Sequence, residues 1–384
     1  MKIVLIGPAH PLRGGLASYN ERLAREFISL GHEVQLYTFS LQYPSFIFPG
    51  TTQYSTEPAP ADLDIHIAIN SINPFNWWRI GNCLKRERPD LVIVRYWLPL
   101  MGPCLGTILR RIKRNGHSRV ICIVDNIIPH EKRPGDKVFT RYFVKPVDGF
   151  ITMSENVMQD MVRFNIKQPT RLIPHPLLDN FGGKTGREEA RRYLGIDQDV
   201  KLMLFFGFIR RYKGLDMLFE AIRLLKERGL SPNDYRLLVA GEFYEDRKVY
   251  DQQIEEAGIA DWLILRTEFI ADSKVKYYFC AADVVIQPYR DATQSGVTPL
   301  AFHFEVPMIV TNVGGLPDLV PHGEVGLVAE PNALAIAAQI EAYFVYGSGH
   351  FMPYLLEEKK KYNWAPLVQH MFELAGLKGG AANT

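Results

Sequence analysis

The stretch Leu202-Met203-Leu204-Phe205-Phe206-Gly207-Phe208-Ile209-Arg210-Arg211-Tyr212-Lys213-Gly214 decides the fold. Its short apolar run, stopped by glycine, reads as a fully buried strand. The loop after it carries three cations, and the helical pattern of residues 215–227 follows at once. A buried strand, a tight loop and a helix make half of a βαβ unit, the building block of a parallel sheet covered on both faces.

Working outward, runs of the same kind recur. Residues 2–6, 33–39, 91–94, 120–124 and 149–153 form a first series, separated by helical patterns such as 16–30 and 154–164. Residues 202–206, 237–240, 263–265, 284–287, 308–311 and 326–328 form a second, with helices including 215–227 and 274–281. The polar, turn-rich segment 179–195 lies between the two series. These patterns predict an α/β protein of two doubly wound, Rossmann-like domains, 1–178 and 196–353, facing across a cleft. The helical tail 354–384, with Trp364 as an apolar anchor, is expected to pack across the domain junction. Ligands of such sheets bind beyond the carboxyl ends of the strands.

Composition agrees. A chain of 384 residues has room for two domains. With 47% hydrophobic and 22% charged residues, and 30 Gly and 25 Pro spread along it, disorder, collagen and coiled coil are excluded. Lys plus Arg number 44 against 42 Asp plus Glu, so any anion site is local and nucleic acid is not an expected partner. Cys83, Cys104, Cys122 and Cys280 lack paired spacing, which fits reduced cytoplasmic thiols better than disulfides or zinc. The opening apolar run reads as a strand, not an export signal, and Arg95, Pro99, Gly102, Pro103 and Gly106 break the apolar segment 91–109 as a membrane span. A cytoplasmic location is expected.

Four loops carry candidate chemistry. Gly14-Gly15-Leu16 precedes a helix, where backbone amides can face an anion or a sugar; a tight turn needing small residues explains it equally well. Its spacing is not a dinucleotide fingerprint. In Gly207–Gly214, Arg210 can grip phosphate oxygens bidentately and Lys213 adds a point charge. The segment from Gln287 to Leu300 enters a helix whose free amides can cap a diphosphate, with Thr293 and Ser295 as neutral donors; Ser295 or Thr298 can also serve simply as an N-cap. Asp125, His130 and Glu131 end a first-half strand and offer acid/base or hydroxyl-orienting groups, although a histidine beside proline is as often structural. Asp62-Leu63-Asp64 reads as a surface loop, and Gly183-Lys184-Thr185 has Leu178 where a phosphate loop needs glycine. The basic run Arg110–Arg114, with Trp77-Trp78-Arg79 nearby in sequence, reads first as a solvated face and second as a membrane-surface contact.

Taken in order, these loops and Val313-Gly314-Gly315-Leu316-Pro317 closely resemble the family-four glycosyltransferases of the GT-B fold over nearly the whole chain. The resemblance implies transfer of a sugar from a nucleotide-sugar donor to an acceptor hydroxyl with retention at the anomeric carbon. It implies no cofactor and no metal, with the donor on the second half and the acceptor on the first. By position, Arg210 and Lys213 hold the diphosphate, Gly14 and Gly15 approach the donor, and Glu242, Phe269 and Ile270 lie where the base is read. Gly296 and Val297 present amides to the phosphates, and Thr293 or Gln294 binds hydroxyls.

The chain departs from that pattern in three places. The family's two glutamates fall at Thr293 and at Ala301 or Leu300; the arginine after the loop glycine is Phe208; and the first-half histidine is Asp125, with His130 close behind. The branch it resembles builds bacterial polysaccharides and other glycoconjugates, with a glycan or lipid-linked acceptor at the inner membrane face. A non-catalytic sugar-nucleotide-binding assembly partner is the alternative that the missing glutamates suggest, and an epimerase of the same shape matches the motif order less well.

Overall fold

The computed structural model describes residues 1–44, 52–128, 134–292 and 295–378. They fall into two compact units: one holds the N-terminal residues, Thr52–Pro176 and the chain from Asn363 on, and the other holds Leu177–Tyr362.

The first unit runs β1 (Lys2–Ile6), α1 (Gly15–Ser29), β2 (Glu33–Leu41), β3 (Asp64–Asn70), α2 (Pro74–Glu87), β4 (Leu91–Tyr96), α3 (Gly102–Lys113), β5 (Arg119–Val124), α4 (Asp136–Val144), β6 (Gly149–Thr152), α5 (Glu155–Arg163) and β7 (Thr170–Leu172). Its parallel sheet has the order β3-β2-β1-β4-β5-β6-β7. Val4, Val92, Val94, Val120, Cys122 and Phe150 are completely buried, as continuous apolar strands between two helical layers must be. The strand order reverses between β1 and β4, so the loops after β1, β4 and β5 flank the switch point.

The second unit runs α6 (Arg187–Leu194), β8 (Lys201–Phe206), α7 (Leu215–Glu227), β9 (Tyr235–Ala240), α8 (Arg247–Ala257), β10 (Leu263–Arg266), α9 (Asp272–Ala281), β11 (Val284–Gln287), α10 (Val297–Phe304), β12 (Met308–Thr311), the short α11 (Leu316–Leu319), β13 (Gly326–Ala329), α12 (Ala333–Tyr346) and α13 (Ser348–Lys359). Its parallel sheet has the order β10-β9-β8-β11-β12-β13 and repeats the reversal between β8 and β11.

The segment 179–195, expected between the two domains, belongs entirely to this second unit. The amphipathic helix α6 lies there, and its fully buried Arg191 donates to the carbonyls of Ala281 (3.0 Å), Asp197 (2.9 Å) and Val200 (2.7 Å) and pairs with Asp283 (2.9 Å). Its apolar signal is reduced to Ala190 and Leu194, because the third buried residue of the helix is an arginine. The tail expected as one helical segment from 354 is two helices, because Asn363 caps a new one, α14 (Trp364–Ala375), by accepting from Ala365 N. The α13 helix belongs to the second unit and α14 to the first, where Phe372 meets Phe27 (5.7 Å) and Trp364 meets Tyr19 (4.9 Å). Among the described residues no helix is long and apolar enough to cross a membrane.

Candidate functional site

In the second unit the loops after β8, β9, β10 and β11 leave the same edge of the sheet in neighbouring positions, because the strands are parallel and adjacent in the order β10-β9-β8-β11. Backbone bonds lock them together. Ile209 N donates to Glu242 O (2.8 Å), Tyr244 N to Ile209 O (3.0 Å), Gly241 N to Arg266 O (2.9 Å) and Arg290 N to Tyr212 O (2.7 Å). Approach is close enough to demand glycine: a Cβ on Gly214 (φ +68°) would lie 1.9 Å from Pro288 O, and one on Gly241 (φ +141°) 2.2 Å from Gly207 O.

This frame fixes the two cations. The Lys213 ammonium lies 5.6 Å from the Tyr289 ring centre and against Gly207, where an added Cβ would come within 2.8 Å of it. Loss of hydration, and secondarily the charge of Arg210, pull the Lys213 pKa down to about 8. The Arg210 guanidinium sits over Tyr244 at 5.0 Å, and Tyr244 also stacks on Phe208 at 4.3 Å. Two cations held close together without an acid in their own loop form a site that an anion would relieve. Glu242, whose backbone carbonyl accepts from Ile209 N, is buried at 5% exposure, and Phe269 and Ile270 follow β10 on the same edge.

At the start of α10 the polar groups are arranged differently from the expectation. The Ser295 hydroxyl donates to Gln287 Oε1 (2.5 Å) and accepts from Val297 N (3.2 Å), and Thr298 Oγ1 donates to the same Gln287 oxygen (3.1 Å). Ser295, Thr298 and Gln287 are all buried, so in this structure Ser295 and the Val297 amide are spent on fixing the helix start rather than offered to a ligand. Gly296 occupies the N-cap position. Thr293 and Gln294 lie outside the described residues.

In the first unit Gly14 (φ +100°) ends the loop after β1, and Gly15 opens α1 with nothing within 4 Å of where its Cβ would be. Asp125 directly follows β5 and forms a bidentate ion pair with Arg95 of β4 at 2.6 and 2.7 Å. A carboxylate so engaged is the counter-ion of a buried guanidinium. Arg95 also lies 4.0 Å over the Tyr19 ring, and Tyr19 meets His175 edge-on at 5.0 Å. Burial, reinforced by Arg95, lowers the His175 pKa to about 4, and its Nδ1 bonds Pro176 O at 2.7 Å. This Arg95–Tyr19–His175 group was missed from sequence, although a lone charge inside the apolar run of β4 signals a buried partner. His130 and Glu131 lie outside the described residues.

Comparison with known proteins decides the family. Residues 13–177 match the family described as Glycosyltransferase Family 4, and residues 200–344 match Glycosyl transferases group 1. The chain belongs to the family-4 glycosyltransferases. Among relatives of this glycosyltransferase, the D-inositol 3-phosphate glycosyltransferase of Thermobifida fusca is 25% identical over 83% of this chain and 77% of its own. The fold is that of sucrose-phosphate synthase from Thermosynechococcus elongatus, with a TM-score of 0.74, 16% identity and coverage of 97% of this chain and 98% of that one. The Anabaena protein HepE, in a complex with UDP-glucose, matches with a TM-score of 0.71 at 14% identity over 97% of this chain and 99% of its own.

The family's second glutamate position falls on α10 at Ala301 or Leu300, both buried in this glycosyltransferase, so no carboxylate reaches the sheet edge from there. Glu305 does not replace it. That residue sits in the left-handed C-cap of α10 and is ion-paired to Lys184 (2.5 Å) and Lys359 (3.0 Å). Among the described residues no group of three or more His, Cys, Asp or Glu is placed to hold a metal ion.

Proposed function

We propose that this glycosyltransferase binds a nucleoside diphosphate sugar on the carboxyl edge of β8, β9, β10 and β11 and transfers the sugar, with retention, to a hydroxyl of a glycan or lipid-linked acceptor. The observation that carries the reading is the pair Arg210 and Lys213, held by glycine-enforced loop packing where the sheet's ligand edge lies. As the sugar departs, negative charge grows on the leaving diphosphate, and two preorganised cations stabilise it there. In this reading they fill the electrostatic role of a divalent metal, and none is required. Glu242, Phe269 and Ile270 are assigned to the nucleoside, and Gly15, with an open side at the start of α1, to donor or acceptor oxygens. The binding of UDP-glucose by HepE supports a nucleoside diphosphate donor. Free Cys83, Cys104, Cys122 and Cys280 support a reducing, cytoplasmic setting.

The test is transfer by the purified chain from UDP-, GDP- and ADP-sugars to a panel of glycan and lipid-linked acceptors in excess chelator, with the product's anomeric configuration read by NMR. The expected outcome is chelator-insensitive transfer with retention that the folded Arg210→Ala, Lys213→Ala double variant loses by about a hundredfold or more. Donor binding without turnover would instead favour a non-catalytic sugar-nucleotide binder.

A further inference from the structure

On the first unit, remote in sequence from the loops just described, α2 and the end of α3 border an open cavity of about 620 Å3 whose lining, besides Asn82 and Asn115, is Trp78, Arg79, Lys85, Arg86, Arg88 and Arg114. The two helices meet closely because Gly81 leaves room for Arg111, whose Cβ would lie 2.6 Å from any Cβ there. Residues 74–88 and 102–119 carry nine cations and one acid, Glu87, in a chain whose net charge is only +2. Not all are available. Arg110 is bound to the carbonyl of Gly106 (2.8 Å) and stacked on Tyr142, Arg111 is held by Asn82 (2.7 Å), and Lys113 pairs with Asp148 (2.8 Å). That spends most of the run Arg110–Arg114 and moves the open charge onto α2. Arg79, Lys85, Arg86, Arg88 and Arg114 form no ion pair among the described residues, and Glu87 is occupied by Lys2 (3.2 Å) and Tyr37 (3.0 Å).

Beside this charge the fold leaves large apolar groups in water. Phe75 is 87% exposed, Trp78 55% and Ile72 55%, spaced three residues apart at the amino end of α2. A helix with apolar groups at one end and open cations along the rest matches the boundary of an anionic bilayer, where rings enter the acyl region and cations meet lipid phosphates. An aliphatic side chain in the patch gains from hydrocarbon but adds nothing to base stacking, which favours lipid over nucleic acid.

We propose that the α2/α3 face is a docking surface for an anionic lipid bilayer, with a lipid phosphate in the cationic cavity. The experiment is flotation of the full chain with phosphatidylcholine vesicles and with vesicles in which about a third of the lipid is phosphatidylglycerol. Binding is expected to the anionic vesicles alone and to weaken as salt rises. The variant Arg79→Glu, Lys85→Glu, Arg114→Glu is expected to bind about tenfold or more weakly, and Ile72→Ser, Phe75→Ser, at exposed positions, to lose the salt-resistant part. Both are expected to keep the wild-type melting temperature and donor binding, so failure here is distinguishable from failure of the transfer reading. Equal binding to neutral vesicles, no binding, unchanged binding by the charge-reversed variant, or preference for a single-stranded oligonucleotide would overturn the proposal.

Discussion

Lys213 titrates at about 8, because burial and Arg210 both disfavour its charge. The native state therefore binds fewer protons than the unfolded chain between pH 8 and the ordinary lysine pKa of about 10.4, and this group's contribution to stability rises with pH across that window. Donor binding moves the opposite way, since a diphosphate needs the ammonium. The donor dissociation constant is expected to rise by about tenfold between pH 7 and 9, and Lys213→Arg is expected to remove that rise; a flat wild-type titration would contradict the assignment. In the first unit, Asp125→Asn leaves the Arg95 charge buried without its partner and is expected to cost about 3 kcal/mol or more in denaturant unfolding. A free acid/base residue at that position would lower activity while leaving stability unchanged. Arg95 itself was legible as a charge inside an apolar run; its partner Asp125, two strand loops away, was not, because nothing local to a strand says which neighbour it pairs with.

Elements that lie inside a sheet were easiest to read. Strands β1, β4, β5, β8, β9 and β11 are covered on both faces and so are written as nearly continuous apolar runs, interrupted in β4 by Arg95. The edge strand β3, Asp-Ile-His-Ile-Ala-Ile-Asn, leaves Ile67 53% exposed and mixes polar residues into its pattern, and β7 is only three residues long. Neither carries enough local signal to stand out, and α6 is hidden by its buried arginine. Loop requirements divide just as clearly. Gly214→Ala places a methyl group against Pro288 O at a left-handed backbone position, and a loss of about 2 kcal/mol or more is expected from calorimetry. Gly15→Ala meets nothing within 4 Å and is expected to leave the melting temperature within a degree or two while donor binding or transfer falls. Unchanged activity in that variant would mean that the glycine serves the turn before α1 and touches no ligand.

For the whole molecule, two parallel α/β units and the family were legible, because the motifs fall at strand ends in a fixed order that few folds share. The assignment of Ser295 and Val297 as ligand donors did not carry over to the observed geometry: the side chain that engages Ser295, Gln287, closes the preceding strand, and a loop's sequence does not say which of its polar groups turn inward. The route of the C-terminal chain was half legible, its helical character being plain and the division at Asn363 depending on one cap. The central claim is that the β8 to β11 edge of the second unit grips a nucleoside diphosphate through Arg210 and Lys213. Calorimetric titration of UDP, GDP and ADP into the wild type and the Arg210→Ala, Lys213→Ala variant, in chelator, tests it most directly. The account predicts saturable binding of at least one nucleotide by the wild type and a loss of about a hundredfold or more in the folded variant; equal affinity in the two proteins would contradict it.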